Sequence, residues 1–180
     1  MAPTFAYAFA TDADVAEVVA LVQSAYRGDA SRGGWTTEAD LLDGQCLDAA
    51  MLRDALAQPG THVLLARDAD GALRACCELR EPDGSAAAYF GMFAVDPQLQ
   101  GGGHGRVVLA EAERLAQADF GAHAMEMTVI RQRVDLIAWY ERRGYVRTGD
   151  TLPFPYGDDR YGRPKVDDLE FVVLRKVLPG

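Results

Sequence analysis

The run from Asp96 to Glu111, DPQLQGGGHGRVVLAE, gathers four glycines and a histidine at the mouth of an alanine-rich helical pattern. A glycine inside a helix costs about 1 kcal/mol relative to alanine, so Gly101, Gly102, Gly103 and Gly105 need a reason. Where side chains are missing, backbone N–H groups at a helix N-terminus can close on an anion, and the helix dipole favours negative charge there. The chemistry on offer is the cradling of a phosphate or pyrophosphate. Arg106 would add a full positive charge, and His104 would touch phosphate or face solvent.

Two familiar phosphate motifs do not fit. A triphosphate loop needs Gly-Lys-Ser/Thr after its second glycine, but Gly105 is followed by Arg106 and Val107. A dinucleotide fingerprint needs G-x-G-x-x-G directly after the first strand; here Val108 takes the third glycine's place, and the loop lies in mid-chain.

The elements that must position this loop are legible by periodicity. FAYAFA (Phe5 to Ala10) alternates as a first strand, and Val15, Val18, Val19 and Val22 fall at helical spacing after the caps Thr11, Asp12 and Asp14, with a stop near Gly28. Thr36 to Gly60 reads as a second helix interrupted around Gly44. Turns at Asp70-Gly71 and EPDG then divide three extended runs, roughly 62–67, 72–80 and 85–95, into an antiparallel meander. A helix from about Gly103 to Asp119, a strand HAMEMTVI, a helix VDLIAWYERRG, a strand YVRTGD, a Pro/Gly-rich excursion from Leu152 to Lys165 and a final strand DDLEFVVLRKVL complete the order. Hairpin strands beside two β–α crossovers predict a mixed α/β (α+β) fold, a mostly antiparallel central sheet of about seven strands flanked by about four helices.

The 180 residues suit a single domain spanning 1–180, and 49% hydrophobic with 25% charged residues suits a soluble one. No uncharged apolar stretch reaches about 18 residues and the N-terminus lacks a signal-peptide pattern, so a cytoplasmic protein with no membrane partner is expected. A net charge of −9 disfavours nucleic acid and is compatible with a cationic acceptor. Cys46, Cys76 and Cys77 match no metal or disulfide spacing. Adjacent Cys76 and Cys77 should point to opposite faces of a strand.

Gln100-x-x-Gly103-x-Gly105, preceded by MFAVDP and followed by an amphipathic helix, resembles the acyl-CoA signature of the GCN5-related N-acetyltransferase (GNAT) superfamily. LIAWYERRGYV (Leu136 to Val146) is similar to its penultimate-helix motif, and the element order agrees over nearly the whole chain. The resemblance implies the acyl-CoA N-acyltransferase fold, acetyl-CoA as cosubstrate without a metal, and transfer of acetyl to an amine, with a small-molecule acceptor favoured. A protein N-terminal or lysine acetyltransferase, and a non-catalytic acyl-CoA-binding or sensor protein, are the alternatives. Relatives often dimerise, so a homodimer is implied by resemblance only.

By the same resemblance, the third and fourth long strands, over 72–80 and 85–95, splay apart. Main-chain groups of Phe93 and Val95 would receive the pantetheine arm as an added strand, and the Val95 N–H would hold the oxyanion. Gln100, Gly101, Gly102, Gly103, His104, Gly105 and Arg106 would hold the pyrophosphate, with Gln100 bracing the loop or reaching a phosphate. Tyr140 matches the general-acid position that protonates the leaving thiolate. Glu78, next to the splay point, is the expected base, with Glu126 a poorer alternative. Arg133 stands where many relatives carry an asparagine near pantetheine. Tyr26, Trp35, Glu38 and Phe154-Pro155-Tyr156 are the segments expected to meet the acceptor.

Overall fold

The computed structural model describes residues 2–27, 38–44 and 46–180. In chain order the elements are β1 (Ala6–Phe9), α1 (Val15–Tyr26), β2 (Leu42–Asp43), α2 (Ala49–Ala57), β3 (Thr61–Arg67), β4 (Leu73–Arg80), β5 (Ala87–Val95), α3 (His104–Ala118), β6 (Ala124–Ile130), α4 (Val134–Glu141), β7 (Val146–Pro153), β8 (Arg163–Pro164) and β9 (Glu170–Val177). Seven strands form one sheet in the order β1-β3-β4-β5-β6-β9-β7, while β2 pairs with β8 apart from it. Every neighbouring pair in the large sheet is antiparallel except β5 with β6. The expected mixed, mostly antiparallel sheet with helices packed on it is what this chain forms. No helix among the described residues is long and apolar enough to cross a membrane.

The strand period of two distributes the core to both faces of the sheet. On β4, Ala75, Cys77 and Leu79 join Val108, Leu109 and Ala112 of α3 on one face. Cys76 joins Val15, Val18 and Val22 of α1 and Leu52 of α2 on the other. The neighbouring cysteines therefore part as their positions in a strand require, and burial pushes the Cys76 thiol up to about 12. Helix α1 buries Val15, Val18, Leu21, Val22 and Ala25, one stripe at helical spacing. Its entry is a short turn in which the Thr11 N–H donates to Asp14 Oδ2 at 2.9 Å.

The long second helix expected over Thr36–Gly60 is corrected. Of its first part, Thr36 and Thr37 lie outside the described residues, as do Gly28 and Trp35. Leu42 and Asp43 are extended and pair with Pro164 and Arg163, and the backbone turns at Gly44 with φ +79°. Helix begins only at Ala49, where Asp48 accepts from the Met51 N–H at 2.8 Å. The competing force is tertiary: Leu42 is buried with Ile130, Phe154 and Leu169, and that long-range cluster overrides a local helical pattern. The late Pro/Gly-rich excursion is thus tied to the chain's first third by strand pairing.

Two outcomes follow from this packing. Leu79→Ala, at a fully buried position, should lower the unfolding free energy by about 2–5 kcal/mol in urea titration. Gly103→Ala should cost about 1–2 kcal/mol in the same measurement. The cause is backbone alone, since φ is +82° and no atom lies within 4 Å of the added Cβ.

Candidate active site

Strands β5 and β6 pair in parallel only from Ala87/Ala124 to Tyr89/Glu126. Beyond that, β6 continues against β9 as far as Ile130, and β5 continues against β4 with a register shift between Cys76 and Glu78. Met92 sits at that irregularity with φ +47°, a conformation costly for a side chain bearing Cβ. The result is a wedge between two strands.

Register fixes which main-chain groups face the wedge. The Asp96 N–H donates to the Arg74 carbonyl at 2.8 Å, so the opposed residues Ala75 and Val95 form a non-hydrogen-bonded pair. In such a pair the N–H and C=O point away from the partner strand. Val95 therefore turns its groups toward the opening, and by alternation across Ala94 so does Phe93. The Val95 carbonyl accepts from Gln100 Nε2 at 3.0 Å, leaving its N–H turned to the wedge. Gln100 thereby braces the loop, one of its two expected roles.

A cavity of about 360 Å³ opens here, with Val95, Gly103, Gly105, Arg106, Trp139 and Arg143 in its wall. Gly101 also lines it, and Gly101 and Gly103 take φ of +87° and +82°. The first N–H groups of a helix have no intrahelical acceptor; in α3 these are the amides of His104, Gly105 and Arg106, while the Val107 N–H reaches the Gly103 carbonyl at 3.3 Å. A Cβ on Gly105 would stand 3.4 Å from Phe93 and 3.5 Å from Trp139, occupying the space that the cavity needs. These residues fit a pyrophosphate held by backbone amides.

The His104 side chain and the Gly102 N–H are engaged within the turn itself. His104 Nδ1 lies 2.9 Å from the Leu99 carbonyl and its ring packs 5.8 Å from Phe5, so its side chain is taken up in bracing the turn. The Gly102 N–H goes to the same Leu99 carbonyl at 3.3 Å. A Cβ on Gly102 would meet the imidazole at 2.8 Å, so the glycine is there to admit the ring.

Sequence reading assigned no role to Trp139 and Arg143. The Arg143 guanidinium lies 3.6 Å over the Trp139 ring and its Nη1 donates to the Trp139 carbonyl at 2.7 Å. Burial, then the guanidiniums of Arg142 and Arg106, hold Arg143 below the usual arginine range. Its Nε is buried without a partner among the described residues. Crowded cations on a cavity wall attract an anion. The signal was the Arg142-Arg143 pair after an aromatic, which becomes meaningful once α4 stands opposite the glycine loop.

A second cavity, of about 170 Å³, shares Tyr26, Phe93 and Leu136 with the first and reaches Glu38, Arg133 and Tyr140. Tyr140 is 4% exposed, with the Trp139 and Tyr145 rings edge-on at 5.1 and 5.7 Å. Burial pushes its hydroxyl well above the usual tyrosine range, opposed by the nearby Arg133 guanidinium. Tyr140 thus stays protonated and beside the wedge. Tyr26 and Glu38, two of the residues expected near the acceptor, line this cavity, and Trp35 lies outside the described residues.

Several expected residues are not brought here. Glu78 is ion-paired to Arg80 at 2.5 Å and lines a separate groove with Gly60, Thr61 and Glu81; strand alternation turns it to the α2 side of the sheet. Glu126 is held by Arg175 Nη1 at 2.6 Å. Phe154 is buried in the third core cluster, and the Tyr156 hydroxyl is spent on the Val166 carbonyl and the Leu169 N–H.

Comparison with known proteins agrees with this geometry. A family model, the Acetyltransferase (GNAT) family, matches residues 17–145. No curated protein matches significantly. Among solved structures, a provisionally assigned phosphinothricin N-acetyltransferase superposes with TM-score 0.71 at 18% identity, covering 98% of this chain and 100% of the other. A spermidine N-acetyltransferase chimera of Vibrio cholerae SpeG and hSSAT gives 0.68 at 15%, covering 97% and 95%. A nourseothricin acetyltransferase gives 0.56 at 20%, covering 67% of each chain. At such identities these likenesses are of fold, whereas the family model spans most of the sequence and includes the glycine loop and Tyr140: the chain belongs to the Acetyltransferase (GNAT) family.

Proposed function

We propose that this protein transfers an acetyl group from acetyl-CoA to the amine of a small molecule. One observation carries the reading: the amide cradle at the start of α3 opens onto the same parted strand edge that holds the Val95 N–H, with Tyr140 beside it. Acetyl-CoA would supply a thioester carbonyl that the amine attacks, forming the C–N bond and breaking the C–S bond.

Gly101, Gly103 and the first amides of α3 would hold the pyrophosphate, with Arg106 and Arg143 compensating its charge. The edge of β5 at Phe93 and Val95 would accept the amide-bearing arm in place of a strand. The Val95 N–H would stabilise developing negative charge on oxygen, and the Tyr140 hydroxyl would give its proton to the departing sulfur. The amine must arrive neutral, and its lost proton leaves to water through the cavity. Glu78 has no part in this scheme. A cosubstrate from the cytoplasmic pool and cysteines kept as free core thiols agree with a cytoplasmic location.

Acetyl-CoA and desulfo-CoA, each at 100 times its dissociation constant, should stabilise the fold by about 2.7 kcal/mol in a thermal-shift titration, and NAD and ATP should not. A melt indifferent to both CoA compounds would sink the proposal. Tyr140→Phe should lose about 10²–10⁴ in kcat while keeping the CoA-induced shift. Equal turnover in the variant would remove Tyr140 from the chemistry.

The pH profile has a definite sign. Because burial raises Tyr140 above its ordinary value of about 10, the proton donor stays loaded and should impose no alkaline limb below that pH. The kcat/KM should instead rise with pH along the titration of the acceptor's amine and then level.

A further inference from the structure

The loop before α3 has two sides. Gly101, Gly103, Gly105 and Arg106 line the first cavity, whereas Gly102 and His104, which alternate with them, are not in its wall. On that far side two donors converge on one acceptor, the Leu99 carbonyl: the Gly102 N–H at 3.3 Å and His104 Nδ1 at 2.9 Å. A carbonyl oxygen only accepts, so the imidazole carries a proton on Nδ1. The Phe5 ring backs the imidazole at 5.8 Å. His104 is also the first residue of α3, so the side chain that grips the turn and one of the helix's free amides belong to the same residue.

Space is made for that grip. A Cβ on Gly102 would stand 2.8 Å from both Nδ1 and Cε1 of His104, with the Leu99 carbonyl next at 3.4 Å. Gly101 and Gly103 take positive φ and Gly102 does not, so the imidazole, not the backbone, is what asks for glycine at 102. The entry of the turn is held independently: Asp96 accepts from the Gln98 N–H at 3.0 Å and from Arg74 at 3.0 Å. His104 holds its exit.

We propose that His104 is a positioning residue for the pyrophosphate of CoA. From the back of the loop its side chain keeps the turn in the shape that presents the first amides of α3 to the cavity, and it does so without touching the ligand. This rests on the acetyltransferase reading and adds a residue to it. A loop free to leave that shape binds in proportion to the fraction of molecules that keep it. A hydrogen bond lost behind the loop is therefore read as affinity lost in front of it, by up to about tenfold for one such bond.

The test is calorimetric titration of the full chain with CoA, for the unaltered protein and for His104→Ala, His104→Asn, Gly102→Ala and the double variant Gly102→Ala/His104→Ala. His104→Ala should bind CoA about tenfold more weakly. Gly102→Ala should lose about as much, because its methyl drives the imidazole off Leu99. In the double variant the methyl finds no ring to displace, so affinity should fall no further than in His104→Ala. His104→Asn, whose amide can donate from the place of Nδ1, should recover most of the loss. A purely structural brace would lower the melting temperature and leave these affinities alone. Unchanged CoA affinity in His104→Ala, losses that multiply in the double variant, or a His104→Asn no better than His104→Ala each overturn the inference while leaving the acetyltransferase reading intact. If His104→Ala does not fold, Gly102→Ala decides alone: a tenfold loss supports the inference and no loss overturns it. If the unaltered protein fails to bind CoA, the acetyltransferase reading falls and this one with it.

Discussion

Everything at the site depends on the parting of β5 and β6 after three parallel pairs. Each strand keeps a partner on its other side, β4 for β5 and β9 for β6, so the sheet survives while two inner edges are left open. Unpaired main-chain groups away from water cost about 1–3 kcal/mol each, which makes the wedge receptive to a ligand with amides of its own. Met92, with φ +47°, marks the irregularity of β5 beside the wedge. From the end of β5 the chain needs only the turn over Asp96–Gly103 to begin α3, whose first turn lines the cavity. Arg74 locks that turn by bridging Asp68 at 2.6 Å and Asp96 at 3.0 Å.

Charge is distributed against the average of the molecule. The chain is strongly acidic, yet the first cavity is walled by Arg106 and Arg143. An acidic exterior and a cationic cavity wall are compatible because exposed charges are screened within a Debye length, whereas charges in partly buried walls are screened much less. The cost of burying the cations is reduced by specific partners. Trp139 takes the face of Arg143 and Glu38 joins Arg27 to Arg133.

Tyr140 shows how packing and chemistry share one residue. Its ring belongs to the main core cluster with Ile137 and Tyr145. Behind it, the Tyr145 hydroxyl donates to Glu113 at 2.9 Å, and Lys176 pairs with that carboxylate at 2.8 Å. These contacts fix the ring without using its hydroxyl. The same burial that fixes it keeps the proton on, as the proposed role of proton donor requires.

The sequence by itself determined what local chemistry dictates. Alternation drew the meander, helical spacing drew α1 and α3, and glycines at Gly101, Gly103 and Gly105 marked the turn into α3, because conformations with φ above zero and missing side chains leave a signature in residue type. Tertiary structure decided the rest. Leu42–Asp43 became a strand because Pro164 and Arg163, far along the chain, were available as partners, a fact no window of neighbours contains. The His104 ring turned to the Leu99 carbonyl, and Glu78 was drawn to Arg80 and a separate groove. Arg27, Glu38 and Arg133 are scattered in the sequence, and only packing brings them together. Backbone preference is written in a residue and its neighbours, whereas the pairing of charges across a cavity depends on distances that exist only after the chain has closed on itself.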